Sequence, residues 1–158
     1  IRFDIYRKHG THRRGLMSAY KLDAKHAKSA WRARSVKKEK PWGEELQWAG
    51  HNFIHGKVLY IRAGERTSFK YHKLKAESLL ILRGKAKILY GDEYSLYDPV
   101  GHPLKEEIFK AGEGLLVQAA CPYRIEALED CEVIEIGNNG ADLPVRIEDD
   151  YGRAAKND

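Results

Sequence analysis

The sequence predicts an all-β domain, a closed barrel or a two-sheet sandwich, preceded by a basic helical leader. Three observations carry that prediction. From residue 44 onward the apolar residues fall in short strand-length runs. Glycine, proline and acidic residues punctuate those runs at regular intervals. The excess positive charge lies ahead of them: residues 1–40 hold 13 Lys and Arg against 3 Asp and Glu, and residues 41–158 hold 15 against 20.

The leader, residues 1–39, comes first in the chain. Tyr20, Ala24, Ala27 and Trp31 recur at i, i+4, i+7 and i+11, which predicts an amphipathic helix with Lys21, Lys25, Lys28 and Arg32 on its wetter faces. Such a helix suits docking on its own barrel or on a partner subunit, with solvated charge outside. A basic arm also suits nucleic acid. The docked helix accounts for the same residues without a nucleic-acid partner, and is preferred.

The strands follow. They are expected near residues 45–48, 53–62, 68–71, 78–82, 86–90, 106–109, 114–118, 123–127 and 131–136. The turns between them are marked by Ala63-Gly64, Arg83-Gly84, Gly91-Asp92, Asp98-Pro99 with Gly101 and Pro103, Ala111-Gly112, and Asn138-Asn139-Gly140. Nine strands at this spacing require two packed sheets or a closed barrel.

Composition excludes other classes. The chain is 42% hydrophobic and 32% charged, and its longest apolar runs are too short to cross a bilayer. No charged segment followed by an apolar core opens the sequence, so a cytoplasmic location is expected. Cys121 and Cys131 lack metal or redox spacing and are expected to be reduced and packed.

Two stretches carry chemistry. Gly64, Lys70, His72, Glu77 and Gly84 stand at spacings of five, one, four and six intervening residues. Positions 70 and 72 are two apart on a strand and face the same side, and Glu77 begins the next strand after a short turn. Downstream, Gly112, Gln118, Ala120, Tyr123 and Ala127 form a second spaced frame.

The first frame resembles the first motif of the cupin family, and the second keeps the spacing of the family's second motif without its residues. Lys40-Pro41-Trp42-Gly43, and the stretch Val145 to Arg153 with its Arg146, Glu148, Asp149, Tyr151, Gly152 and Arg153, look like the two ends of the isomerase domain of type II phosphomannose isomerases. The resemblance implies a double-stranded β-helix (jelly-roll) barrel over residues 40–153, with a tail at 154–158. It implies a small-molecule substrate, a sugar or sugar phosphate, and aldose–ketose isomerisation in carbohydrate metabolism. A homodimer is implied as well. The non-catalytic alternative is a cupin that only binds a sugar or small metabolite.

By that resemblance the metal positions fall on Lys70, His72, Glu77 and Tyr123. His72, Glu77 and Tyr123 are candidate ligands for zinc, manganese or iron. A protonated Lys70 has no lone pair to offer. Either Lys70 is neutral or turned away and a weakened metal site persists, or its ammonium pairs with Glu77 while Tyr123 and His72 complete a hydrogen-bonded cluster. The metal-free version is preferred, because a charged lysine satisfies a buried carboxylate directly. Lys70, Glu77 and Tyr123 are then the candidate catalytic groups. Lys73 and Lys75, in the turn between the motif strands, read as a rim that attracts phosphate, and Arg124 and Arg153 as further substrate contacts. His51, His55 and His102 are expected at the surface, and the long 94–103 loop as a lid.

Overall fold

The structure is a computed structural model that describes residues 30, 32–51, 54–138 and 143–153. The predicted leader helix over Tyr20 to Trp31 and the 154–158 tail lie outside the described residues. Among the described residues eleven strands run in order: β1 (Val36–Lys40), β2 (Gly43–His51), β3 (Ile54–Ile61), β4 (Phe69–Tyr71), β5 (Glu77–Arg83), β6 (Lys85–Tyr90), β7 (Lys105–Lys110), β8 (Gly114–Val117), β9 (Tyr123–Ala127), β10 (Cys131–Asn138) and β11 (Val145–Glu148). One sheet has the order β1-β2-β3-β10-β5-β8 and the other β11-β4-β9-β6-β7, with every pairing antiparallel. Among the described residues there is no helix, and none long and apolar enough to cross a membrane.

All nine expected strands are present, and two more frame them. β1 pairs with β2 from Val36↔Gln47 to Lys40↔Gly43, so the sheet begins inside the basic leader. Its Val-Lys-Lys-Glu-Lys sequence suits an exposed edge, where lysines discourage pairing with another chain. β11 adds to β4 through a register shift between Arg146 and Glu148.

Strand period explains the interior. Successive side chains alternate between faces, and β5 alternates buried and exposed from Glu77 to Ile81. The inward set changes character along each strand. On β3 it runs Ile61, Leu59, Lys57, His55; on β5, Ile81, Leu79, Glu77; on β10, Cys131, Val133, Glu135, Gly137. One half of the barrel is therefore an apolar core, completed by Ala86, Ile88, Ile125 and Phe109. The other half is lined by ionisable groups. Both cysteines are buried and free, as expected.

The two frames close their turns as their spacing requires. Gly84 has φ +80°, and a Cβ there would lie 2.2 Å from the Asp130 carbonyl oxygen. Ala120 stands where the family's second motif has glycine, and it alone among the described non-glycine residues has positive φ, 68°. A Cβ in that region costs about 1–2 kcal/mol, against which glycine loses somewhat more chain entropy on folding. Ala120→Gly is expected to stabilise the protein by about 0.5–1 kcal/mol, seen calorimetrically as a melting temperature raised by about 1–4 °C.

Candidate functional site

The polar half of the barrel holds a compact cluster centred on Glu77. Its Oε2 accepts the Tyr123 hydroxyl at 2.5 Å. Its Oε1 accepts the Lys75 ammonium and lies 3.7 Å from His72 Nε2 and 3.9 Å from His55 Nε2. Lys75 also reaches Glu135 Oε1 at 3.5 Å, and His55 Nε2 stands 3.2 Å from that same oxygen. Lys57 bridges outward, 3.9 Å from Glu135 and 3.3 Å from Glu45. Lys70 sits with its ammonium 5.2 Å from the centre of the Tyr123 ring, within cation–π range.

The strands produce this convergence directly. Lys70 pairs with Tyr123 across β4 and β9, and Glu77 pairs with Gly137 across β5 and β10. Lys70, His72, Glu77 and Tyr123 therefore meet on one side of the barrel. The pairing expected for Lys70 is corrected: the ammonium on Glu77 belongs to Lys75. The rim position expected for Lys75 is corrected with it, since the residue is 7% exposed and points inward. Lys73, by contrast, is exposed. His55 is another correction, 6% exposed rather than on the surface, because β3 puts it in phase with Lys57 and Leu59. His51's side chain lies outside the described residues, and His102 is partly exposed on Asp92 at 2.8 Å.

Arg124 is buried, and its guanidinium donates to the Thr67 carbonyl at 3.0 Å and to Glu148 at 3.2 and 3.3 Å, tying β9 to β11. Arg153 pairs with Asp149 at 2.6 Å and donates to Ser68 Oγ at 3.1 Å. The 94–103 loop folds on itself through Asp92, Asp98 and the buried Ser95, and none of its residues lines the cavity described below, so the lid expectation is not met.

That cavity, about 270 Å³, opens between the sheets above the cluster. Among the described residues, Lys38, Lys40, Lys57, Lys70, Arg146 and Arg153 line it against two acids, Glu45 and Glu135, with Tyr123 among its walls. Among the described residues no ion pair within 4 Å holds Lys70 or Arg146.

The charges set the protonation of the acids. Burial opposes ionisation of Glu77, but Lys70, Lys75 and His72 outweigh it and hold the carboxyl well below its usual range. Glu135 moves the other way, raised by burial and then by the Glu77 carboxylate. Burial and then Glu77 push the Tyr123 hydroxyl well up, so it stays a donor. Burial, then Lys75 and Lys57, bring His55 down to about 4, so its imidazole is neutral at pH 7.

No family model matches the sequence, and no curated protein matches it. Solved structures do. Oxalate decarboxylase of Bacillus subtilis, studied for its Mn(II) centres, superposes with a TM-score of 0.57 at 15% identity over 82% of this chain and 32% of its own. KdgF from Halomonas sp. gives 0.55 at 11% identity, covering 77% of this chain and 94% of that one. CapF of Staphylococcus aureus, a capsular polysaccharide assembling protein, gives 0.53 at 16% over 68% and 29%. This chain spans about a third of the decarboxylase and of CapF. At these identities the likeness shows the fold, the cupin double-stranded β-helix.

The metal that this fold implies meets an obstacle in the side chains. His55, Glu77 and Glu135 place one donor atom each within 4.8 Å of one another, which is the chemistry of a metal site. Yet the Lys75 ammonium already rests on both carboxylates, the Tyr123 hydroxyl hydrogen points at Glu77, and position 70 is a lysine. Adding a dication beside Lys57, Lys70 and Lys75 brings repulsion, and both carboxylates of the trio are already engaged. As arranged, these residues do not fit a divalent metal.

Proposed function

We propose that this cupin-fold chain binds a small anionic sugar, a sugar phosphate by preference, in the cationic mouth of its barrel without a metal. The observation that carries this reading is the six-to-two excess of cations over acids around the 270 Å³ cavity, with the Lys70 and Arg146 head groups free of ion pairs among the described residues. Converging cations in a partly enclosed space favour an anion far more than they do on an open surface. Tyr123 and Trp42 are among the residues that line the cavity, and aromatic lining with a few polar groups is usual for small-molecule sites.

The test is a thermal-shift and calorimetric screen of sugar phosphates in the presence of chelator. Stabilisation by a sugar phosphate but not by its unphosphorylated sugar is expected. Binding should weaken at least tenfold, about 1.4 kcal/mol, in Lys70→Met/Arg146→Met. No shift across the panel sinks the proposal.

Glu135 favours a second reading, aldose–ketose isomerisation of the bound sugar phosphate. Its carboxyl lines the cavity and is held toward the protonated form beside Lys70 and the Tyr123–Glu77 pair. Two carboxyls driven apart in proton affinity suit proton transfer between adjacent carbons, with the Lys70 ammonium facing the enediolate oxygens. A coupled assay on mannose 6-phosphate separates turnover from binding alone. We place the expected homodimer contact on the outer face of the six-stranded sheet, where Trp48, Ile54, Leu82, Leu116 and Ile136 are exposed.

A further inference from the structure

We propose that the ammonium of Lys75 is the resident cation of this barrel, excluding divalent metals from His55, Glu77 and Glu135, and that removing it creates a metal site. The cluster and its surroundings carry this inference whether or not the ligand is a sugar phosphate. Three observations carry it.

The first is position. Lys75 lies in the turn between β4 and β5, three residues after His72 and two before Glu77, and its side chain returns inward to touch both acids of the metal-capable trio. The second is the room made for it. Glu77 faces Gly137 across β5 and β10, and a Cβ on Gly137 would come within 2.9 Å of Lys75 Cε and 2.8 Å of the Ala76 carbonyl oxygen. Any larger residue at 137 would block the path of the lysine stem. The third is His55. Both its ring nitrogens are buried and make no hydrogen bond among the described residues, although Nε2 is 3.2 Å from Glu135. A buried imidazole facing two carboxylates without a donor–acceptor contact is arranged as a ligand.

Lysine and dication therefore compete for one place. The lysine wins because it is tethered: its effective concentration at the carboxylates is set by a short turn, not by free metal in solution.

The full chain, stripped with chelator and with any affinity tag removed, is titrated with Zn²⁺ and separately with Mn²⁺ by calorimetry, and bound metal is counted after dialysis. Wild type is expected to take up no metal that depends on His55. Lys75→Ala and Lys75→Ser are expected to bind one equivalent, lost again when His55→Ala is added. Cobalt(II) gives a visible band in the same variants that identifies nitrogen and oxygen donors. A wild-type equivalent abolished by His55→Ala overturns the proposal. So does a Lys75 variant that keeps the wild-type circular dichroism and binds nothing. Should neither variant fold, the wild-type titration decides alone.

Discussion

Glu77→Gln is expected to lose about 3–5 kcal/mol of stability, and adding Lys75→Met to it is expected to restore most of that loss. Glu77 receives the Lys75 ammonium and the Tyr123 hydroxyl within the barrel, and faces His72 and His55 at 3.7 and 3.9 Å. Replacing the carboxylate leaves a buried cation whose remaining acidic partner is Glu135, 3.5 Å away and itself raised toward neutrality. An unpaired buried charge is what makes breaking such a pair costly, whereas replacing both members is commonly tolerated. Glutamine keeps an acceptor for Tyr123, so the double variant isolates the charge pair. Urea unfolding of wild type, both single variants and the double variant gives the cycle, with a coupling of at least about 2–3 kcal/mol expected. Additive losses would show that Lys75 and Glu77 do not act as a pair.

The fold was legible because its signal is local and periodic. Strand-length apolar runs and glycine turns specify each element, and the 70-72-77-84 frame brings side chains of both sheets to one end of the barrel. β1 escaped because Val36-Lys37-Lys38-Glu39-Lys40 reads as charged leader; an edge strand with one partner needs no apolar face. The site was legible only where a motif named it. Lys70, His72, Glu77 and Tyr123 do meet, yet the acids and bases that complete the cluster, His55, Lys57 and Glu135, carry no motif. Their signal was parity. In a strand whose Leu59 and Ile61 face inward, Lys57 and His55 must face inward too, and Glu135 follows from Val133 in the same way. Lys75 had no such signal, since a residue in a turn has no period. Whether its long side chain turns to water or back into the barrel depends on Gly137, distant in sequence, and on carboxylates that give it a reason to turn.

Acidification gives the second large effect, and its sign follows from His55. In the unfolded chain this imidazole takes up a proton near pH 6.5; in the barrel, burial and the Lys75 and Lys57 charges delay uptake to about 4. Between those values the unfolded state binds more protons, so stability falls as pH falls. The contribution is complete above pH 6.5 and gone below pH 4. A shift from 6.5 to about 4 amounts to about 3 kcal/mol. Glu77, depressed in the fold, adds a loss of the same sign as pH falls below the ordinary carboxylate range. Glu135, raised in the fold, acts oppositely: its contribution is present at low pH and is lost as pH rises through its folded value. His55→Gln separates the three, because it removes the imidazole and leaves both acids. Denaturation midpoints followed from pH 7.5 to pH 4 should fall steeply in wild type and much less in His55→Gln. Equal slopes in the two proteins would mean that His55 titrates normally, and that the lysines around it do not hold the barrel's polar half neutral at that ring.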